Sequence, residues 1–337
     1  MIVVPAEARP DGPAPDEQDV FLAAYLEPFR PFLDHEEVTE ILVNRPGEVW
    51  LERCGQPAME RRDVPAVTDR LLQRLAAQIA RMSHQAISRE QPLLAATLPD
   101  GARVQIIGPP ATREHWALSI RRHRLVGLPL SAWAMRRDPG GREAERGGAA
   151  PDDPHAWLEA AVRARRTILV AGGTSSGKTS FLNALLGLVP PEERLIVVED
   201  TPEIRLDQPN ALGLVAVRGD LGEARVTPDS LLQASLRMRP DRIVLGELRG
   251  TEAFTFLRAI NTGHPGSFST IHANSARGAL DQLALLVMQA GLGLGRRETL
   301  HYACSVIDVV VHLGRSGGER EITDILTSEQ ILEQVGR

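Results

Sequence analysis

Lysine is almost absent from this chain. Of 38 Lys and Arg residues one is lysine, Lys178, and 37 are arginine, so an ammonium survives in one place against a background that takes guanidinium everywhere else. Cysteine is nearly as scarce. Cys54 and Cys304 are the whole complement; they exclude a tetracysteine zinc site and, without a paired spacing, suit a reducing compartment and two buried free thiols. Aromatic residues make up only 4%. Long apolar runs are missing too: "LALLVMQAGLGLG", from Leu283, is too short and too glycine-rich to cross a hydrocarbon core of roughly 30 Å, so membrane contact is expected to be peripheral. The opening "MIVVPAEARPDGPAPDEQD" has neither a basic start nor a sustained apolar stretch, and a secretory signal is not expected. An excess of positive charge is also lacking. The net charge of -6 excludes the global basic footprint of a duplex-wrapping protein and leaves room for local patches.

What is present is an ordinary globular composition, 43% hydrophobic and 24% charged over 337 residues, a length that suits two domains each with its own core. Residues 1–19, rich in Pro, Asp and Glu, read as a mobile tail. An α+β domain is expected over 20–125. There "VTEILVNRPGEVWLER" alternates around a turn as a hairpin does. The following helix carries Val67, Leu71, Leu72, Leu75, Ile79 and Met82 on one stripe. "ARVQIIG" and "WALSIRRH" supply further strands. Residues 126–154, dense in Gly, Pro and mixed charge, read as a linker. Over 155–330 the pattern becomes α/β: "RTILVAGG", "RLIVVED" and "DRIVLGE" are apolar runs without alternation, as expected of strands covered on both faces. Helical patterns follow in "KTSFLNALLGL", "PDSLLQASLRM" and "GTEAFTFLRAINTG".

The lone lysine falls in a motif. Gly172, Gly177, Lys178 and Thr179 satisfy G-x-x-x-x-G-K-[ST] between an apolar strand and a helix, the context that a phosphate-binding P-loop requires. Gly172, Gly173, Thr174, Ser175, Ser176, Gly177, Lys178, Thr179 and Ser180 are therefore the expected nucleotide-binding residues. Backbone N–H groups and the helix dipole face the polyphosphate; Lys178 reaches the β- and γ-phosphates of ATP, and the Thr179 hydroxyl ligates Mg²⁺. A compact ammonium fits under such a loop, whereas a planar guanidinium needs a fork-shaped partner. Glu199 with Asp200, and Glu247, end strands where an open α/β sheet binds its ligand, and each glutamate suits the ordering of an attacking water. The usual Walker B aspartate is absent, since Gly246 precedes Glu247, so Mg²⁺ falls chiefly to Thr179, the phosphates and water-mediated carboxylates. His264 and His272 sit in "NTGHPGSFSTIHANS" without the further ligands that zinc needs. His272 suits a hydrogen bond to the γ-phosphate or the catalytic glutamate, and His264 suits either that chemistry or the structuring of its loop. Arg103, Arg121, Arg122 and Arg124 at the end of the first domain, and Arg249 beside Glu247, are candidate cations for transition-state charge, although solvated surface is the ordinary place of an arginine here.

Together "GGTSSGKTS", "VVEDTPEIRL", "RPDRIVLGELRG" and "NTGHPGSFSTIHANSARGALDQL" resemble the secretion and pilus ATPases of bacterial type II and type IV systems. From about Val20 to Asp324 the chain is most similar to the VirB-type ATPases of type IV secretion. The resemblance implies a RecA-like P-loop NTPase motor domain preceded by a smaller α+β domain, and a homohexamer at the cytoplasmic face of the inner membrane. Its implied partners are inner-membrane secretion components and a translocated DNA or protein substrate. It also implies phosphate and Mg²⁺ binding by Lys178 and Thr179, water positioning by Glu199 or Glu247, γ-phosphate sensing by His272, and a clamp by Arg103 and Arg121. Ser175 departs from the glycine of many members, and the linker is long. A nucleic-acid motor of RecA type, an assembly platform with little turnover and a small-molecule kinase are the rival readings; the acidic net charge disfavours the first, and the lack of an acceptor-binding lid disfavours the last.

Overall fold

The computed structural model describes residues 17–56, 58–122, 127–136, 153–174, 176–217, 226–291, 293–316, 319–327, 329–330 and 333. The chain divides into two compact units, Met1–Cys54 with Ala58–Arg122, and Gly55–Pro57 with His123–Arg337.

The first unit opens with α1 (Glu17–Leu26), a 3₁₀ turn and α2 (Arg30–Leu33). The helix begins three residues inside the stretch read as tail, with Leu22 and, past it, Phe29 giving this segment apolar surface to bury. Next come β1 (Val38–Val43), β2 (Gly47–Arg53), β3 (Glu60–Val64), α3 (Asp69–Met82), β4 (Leu93–Thr97), β5 (Arg103–Ile107) and β6 (Ala117–Arg121). The strands form one sheet in the order β3-β2-β1-β6-β5-β4, antiparallel at every pairing. Thr68 caps α3 by accepting the Leu71 N–H at 3.2 Å, which satisfies one of the donors that a helix start leaves over. Of the predicted stripe, Leu72, Leu75 and Ile79 are buried on α3, and Val67 is buried just before the cap. They pack with Ile41, Leu51, Leu94 and Ile106 into one core, each such burial contributing about 1.5–3 kcal/mol. Glu48 is buried on β2, and its carboxyl is held at about 2 by hydrogen bonds from Arg45 and Arg61. Cys54 sits in the turn after β2 and is exposed, which corrects the expectation of two buried thiols; a turn has no sheet face to bury. Cys304 is buried, and burial pushes its thiol up to about 11.

The second unit contains β7 (Ala134–Met135), α4 (Pro154–Arg163), β8 (Ile168–Gly172), α5 (Lys178–Leu186), β9 (Leu195–Glu199), β10 (Ala211–Val215), α6 (Pro228–Ser235), β11 (Arg242–Leu248), α7 (Glu252–Asn261), β12 (Phe268–His272), α8 (Ala276–Gln289), α9 (Arg296–Val306), β13 (Val309–Ser316) and β14 (Glu319–Thr327). Eight strands run in the order β10-β9-β11-β12-β8-β13-β14-β7. From β10 to β13 all pairings are parallel, and β14 returns antiparallel on β13. The lack of alternation in β8 is explained by its two neighbours. Ile168 and Val170 enter a core with Phe181, Leu182 and Leu158 of α5 and α4. Leu169 and Ala171 enter another with α7, α8 and α9. Both faces are covered, so both sets of positions must be apolar.

Part of the segment read as linker belongs to this sheet. β7 pairs with β14, and Trp133 beside it is fully buried, its ring edge-on to Phe181 at 5.2 Å. One large aromatic side chain outweighs the Gly and Pro around it, because its burial removes 150–250 Å² from water. Residues 137–152 of that segment lie outside the described residues. Among the described residues no helix is long and apolar enough to cross a membrane.

Candidate nucleotide site

β8 ends at Gly172, the chain turns through the loop, and α5 starts at Lys178. A Cβ on Gly172 would stand 2.4 Å from Ser176 Oγ and 2.9 Å from the Leu313 carbonyl, so only glycine fits there. Gly177 has φ +88°, a left-handed conformation that glycine adopts without strain. Lys178 is buried. Its Nζ donates to the carbonyls of Gly172 at 3.1 Å and Gly173 at 2.9 Å and lies 3.4 Å from His272 Nδ1. Ser176 Oγ donates to the Gly173 carbonyl at 2.9 Å. Thr174 is exposed, Ser180 lies in the first turn of α5, and Ser175 is outside the described residues. The N–H groups that the start of α5 leaves without intrahelical partners favour an anion at this place.

Of the remaining candidates of this unit, all but His264 gather along the same edge. Glu199, Glu247 and His272 lie at the carboxyl ends of β9, β11 and β12, which with β8 are four consecutive strands of the sheet. His272 pairs in register with Gly172. His272 Nε2 is 2.7 Å from Glu247 Oε1. With Nδ1 facing the Lys178 ammonium, the ring stands between that ammonium and the Glu247 carboxylate. Arg249 Nε donates to Glu247 Oε2 at 2.5 Å, its Nη2 pairs with the same oxygen, and its Nη1 lies 3.6 Å from Asp200 Oδ2. Lys178, His272, Glu247, Arg249 and Asp200 thus form one chain of contacts across the edge.

Glu199 is placed differently. Its side chain is buried, and Oε1 accepts the backbone N–H groups of Glu203 and Ile204, both at 2.8 Å. A Cβ on Gly246 would lie 3.3 Å from Glu199 Cγ; where a Walker B aspartate would stand, Glu199 fills the space. Glu203 was not among the residues singled out from the sequence. It accepts a hydrogen bond from Thr179 Oγ1 at 3.1 Å, and its carbonyl accepts from Asn183 Nδ2 at 3.3 Å. Its position in the acidic box, four residues after Glu199, was the available signal. Hydroxyl and carboxylate oxygens side by side are the hard donors that suit Mg²⁺, so the residues present fit that ion.

His264 stands apart. Its Nδ1 donates to the Ala259 carbonyl at 2.9 Å and its own carbonyl accepts from Ser267 Oγ at 2.8 Å, so it ties the end of α7 to the loop before β12. Among the described residues no group of His, Cys, Asp and Glu could hold a metal through three or more side chains. Arg103 and Arg121 lie in the first unit, where Glu40, Arg121 and Arg103 stand in one row across β1, β6 and β5. Arg121 Nε is 3.6 Å from Glu40 Oε1. Burial, the largest influence, raises the Glu40 carboxyl above its ordinary value despite that neighbour. Arg122 donates to the carbonyls of His35 and Val38, and Arg124 lies outside the described residues.

A phosphate loop at the carboxyl edge of a parallel sheet, with acidic and imidazole groups on adjacent strands, defines a P-loop α/β nucleotide-binding unit. The family model described as "Type II/IV secretion system protein" matches residues 23–324. PtlH, a type IV secretion system protein of Bordetella pertussis, is 42% identical over 93% of this chain and 96% of its own length. VirB11 of Bartonella henselae is 34% identical over 92% and 94%. The crystal structure of the VirB11 ATPase of Brucella suis, in complex with sulphate, is 32% identical and covers 95% of this chain and 98% of that one, with a TM-score of 0.50. The chain belongs to the type II/IV secretion system protein family. It is an ATP hydrolase of the type IV secretion kind.

Proposed function

We propose that this chain is the hexameric motor of a type IV secretion system, a RecA-like domain preceded by a smaller α+β domain, which couples ATP hydrolysis to pilus assembly and to translocation of DNA or protein. It works at the cytoplasmic face of the inner membrane with the membrane components of that system. The observation that carries this reading is the placement of the Lys178 loop, His272, Glu247 and Glu199 on four adjacent strand ends, where a bound polyphosphate meets them together.

Lys178 withdraws from the carbonyls of Gly172 and Gly173 and takes phosphate oxygens instead. Glu247 is the general base. Its carboxylate is held from one side by Arg249 and from the other by His272, whereas Glu199 holds the backbone of its own loop. Glu247 accepts the proton of the attacking water, and His272, between Glu247 and Lys178, senses whether a γ-phosphate is present. Thr179 and Glu203 would hold Mg²⁺, which when bound supplies positive charge to the β- and γ-phosphate oxygens. Arg103 and Arg121 supply cationic stabilisation of the transition state, in keeping with the family likeness. The experiment is phosphate release by the full chain with ATP, alongside Lys178→Ala, and sedimentation with and without nucleotide. Release that the substitution abolishes, and a six-copy species with nucleotide, are expected. Equal background release from both proteins, or a monomer under every condition, would sink the motor reading.

A further inference from the structure

The phosphate loop has two flanks. β12, with His272, lies on one side of β8, and β13 followed by β14 lies on the other. β13 pairs with β8 as far as Leu313 opposite Gly172, and then continues past the end of that strand. Arg315 lies two residues further on, and its cross-strand partner on β14 is Arg320. The returning strand lays the Arg320 side chain across the loop: Cδ, Nε and Cζ lie 2.9, 3.1 and 3.5 Å from where a Cβ on Gly177 would stand. The backbone angle is what requires glycine at 177; a Cβ there would push the flexible Arg320 side chain off the loop.

This is a poor place for a cation unless an anion shares it. Gly177 is the N-cap of α5, the positive end of a helix, where like charge is disfavoured. Among the described residues no carboxylate forms an ion pair with Arg320; Glu321 beside it faces Arg136 at 3.6 Å. The groups suited to the γ-phosphate, Lys178 Nζ, His272 and Glu247, meet on the opposite flank. In a P-loop the backbone N–H groups cradle the α- and β-phosphates while the lysine reaches the β and γ.

We infer that Arg320 binds the α,β-diphosphate common to ATP and ADP and sets nucleotide affinity without entering the chemical step. The inference rests on the ATPase reading. Arg320→Met keeps an aliphatic stem over Gly177 and removes the charge, and Arg320→Lys restores the charge. Binding of ADP and of inorganic pyrophosphate to the full chain is measured by calorimetry, and ATP turnover in parallel. Charge-assisted contacts to phosphate are strong enough that Arg320→Met should weaken both ligands about tenfold and raise KM for ATP similarly, with kcat within about twofold of wild type. Arg320→Lys should recover most of the loss. Reduced kcat with unchanged ADP affinity would place Arg320 at the γ end. Weakened ADP with unchanged pyrophosphate would make it a base or sugar contact. No change in any quantity would leave it as packing over the loop. Each of these overturns the inference. A wild-type chain that neither binds ADP nor hydrolyses ATP sinks the underlying reading instead, which separates the two failures.

Discussion

β11 carries a charge at each end, Arg242 at its start and Glu247 near its close, and the two are treated in opposite ways. Arg242 is fully buried. Its Nε and Nη2 donate to the Glu193 carboxylate at 2.6 and 3.0 Å, and Nη2 and Nη1 to the carbonyls of Val162 at 2.9 Å and Gly266 at 3.2 Å. The guanidinium also lies over the Phe268 ring at 5.7 Å. Its donors are committed to one carboxylate and two main-chain carbonyls. At the carboxyl edge Glu247 and Lys178 contact side chains and loop carbonyls that can change partners, and His272 is half exposed. The difference separates structure from function: a buried charge with fixed partners holds elements in place, whereas charges on exchangeable partners at strand ends are ready for a ligand.

The largest effect is expected at the amino edge. Arg242→Ala leaves the Glu193 carboxylate with only the longer contact to Arg165 at 3.8 Å and should cost about 3–5 kcal/mol of stability by chemical denaturation, whereas Arg242→Met combined with Glu193→Leu should recover most of that. If Arg242→Ala lowers turnover while leaving stability unchanged, the division between the two edges is wrong. At the carboxyl edge Glu247→Gln should slow phosphate release by about 100-fold and leave both the melting temperature and ADP binding near wild type. Full turnover in that variant would move the base to Glu199 or elsewhere.

Legibility in the sequence follows the same division. The phosphate loop was readable because its residues are contiguous and its flanking strand and helix show their own patterns. The β1–β2 hairpin and the strands β8, β9 and β11 were readable for a similar local reason. Glu203 and Arg320 were not: a glutamate after a Thr-Pro turn and one arginine among 37 look ordinary until pairing of β13 with β14 and the Glu199 contacts bring them to the loop. Trp133 and β7 were hidden by the Gly, Pro and charge around them, since a two-residue strand has no period to detect. The habits of cysteine point Cys54 to the interior, and the turn that exposes it is a tertiary outcome.

Two smaller effects sharpen the comparison. The hydrogen bond from Arg242 holds the Glu193 carboxyl below its ordinary value of 4.5, so its contribution to stability is complete above that value and is lost as pH falls through the lower folded one. Melting curves of wild type should therefore fall more steeply below pH 4.5 than those of Glu193→Gln; parallel curves would show that the pair contributes no pH dependence. Smallest of all, a thiol-alkylating reagent should label exposed Cys54 in the folded chain, spare Cys304 until unfolding, and leave ATP turnover unchanged.

The most direct test returns to the lone lysine. Phosphate release by wild type, Lys178→Ala and Lys178→Arg separates charge from shape, because arginine keeps the charge but not the compact ammonium that fits beneath the loop. Both variants are expected to lose hydrolysis by about 100-fold or more while melting as wild type does; normal turnover in Lys178→Arg would contradict the account.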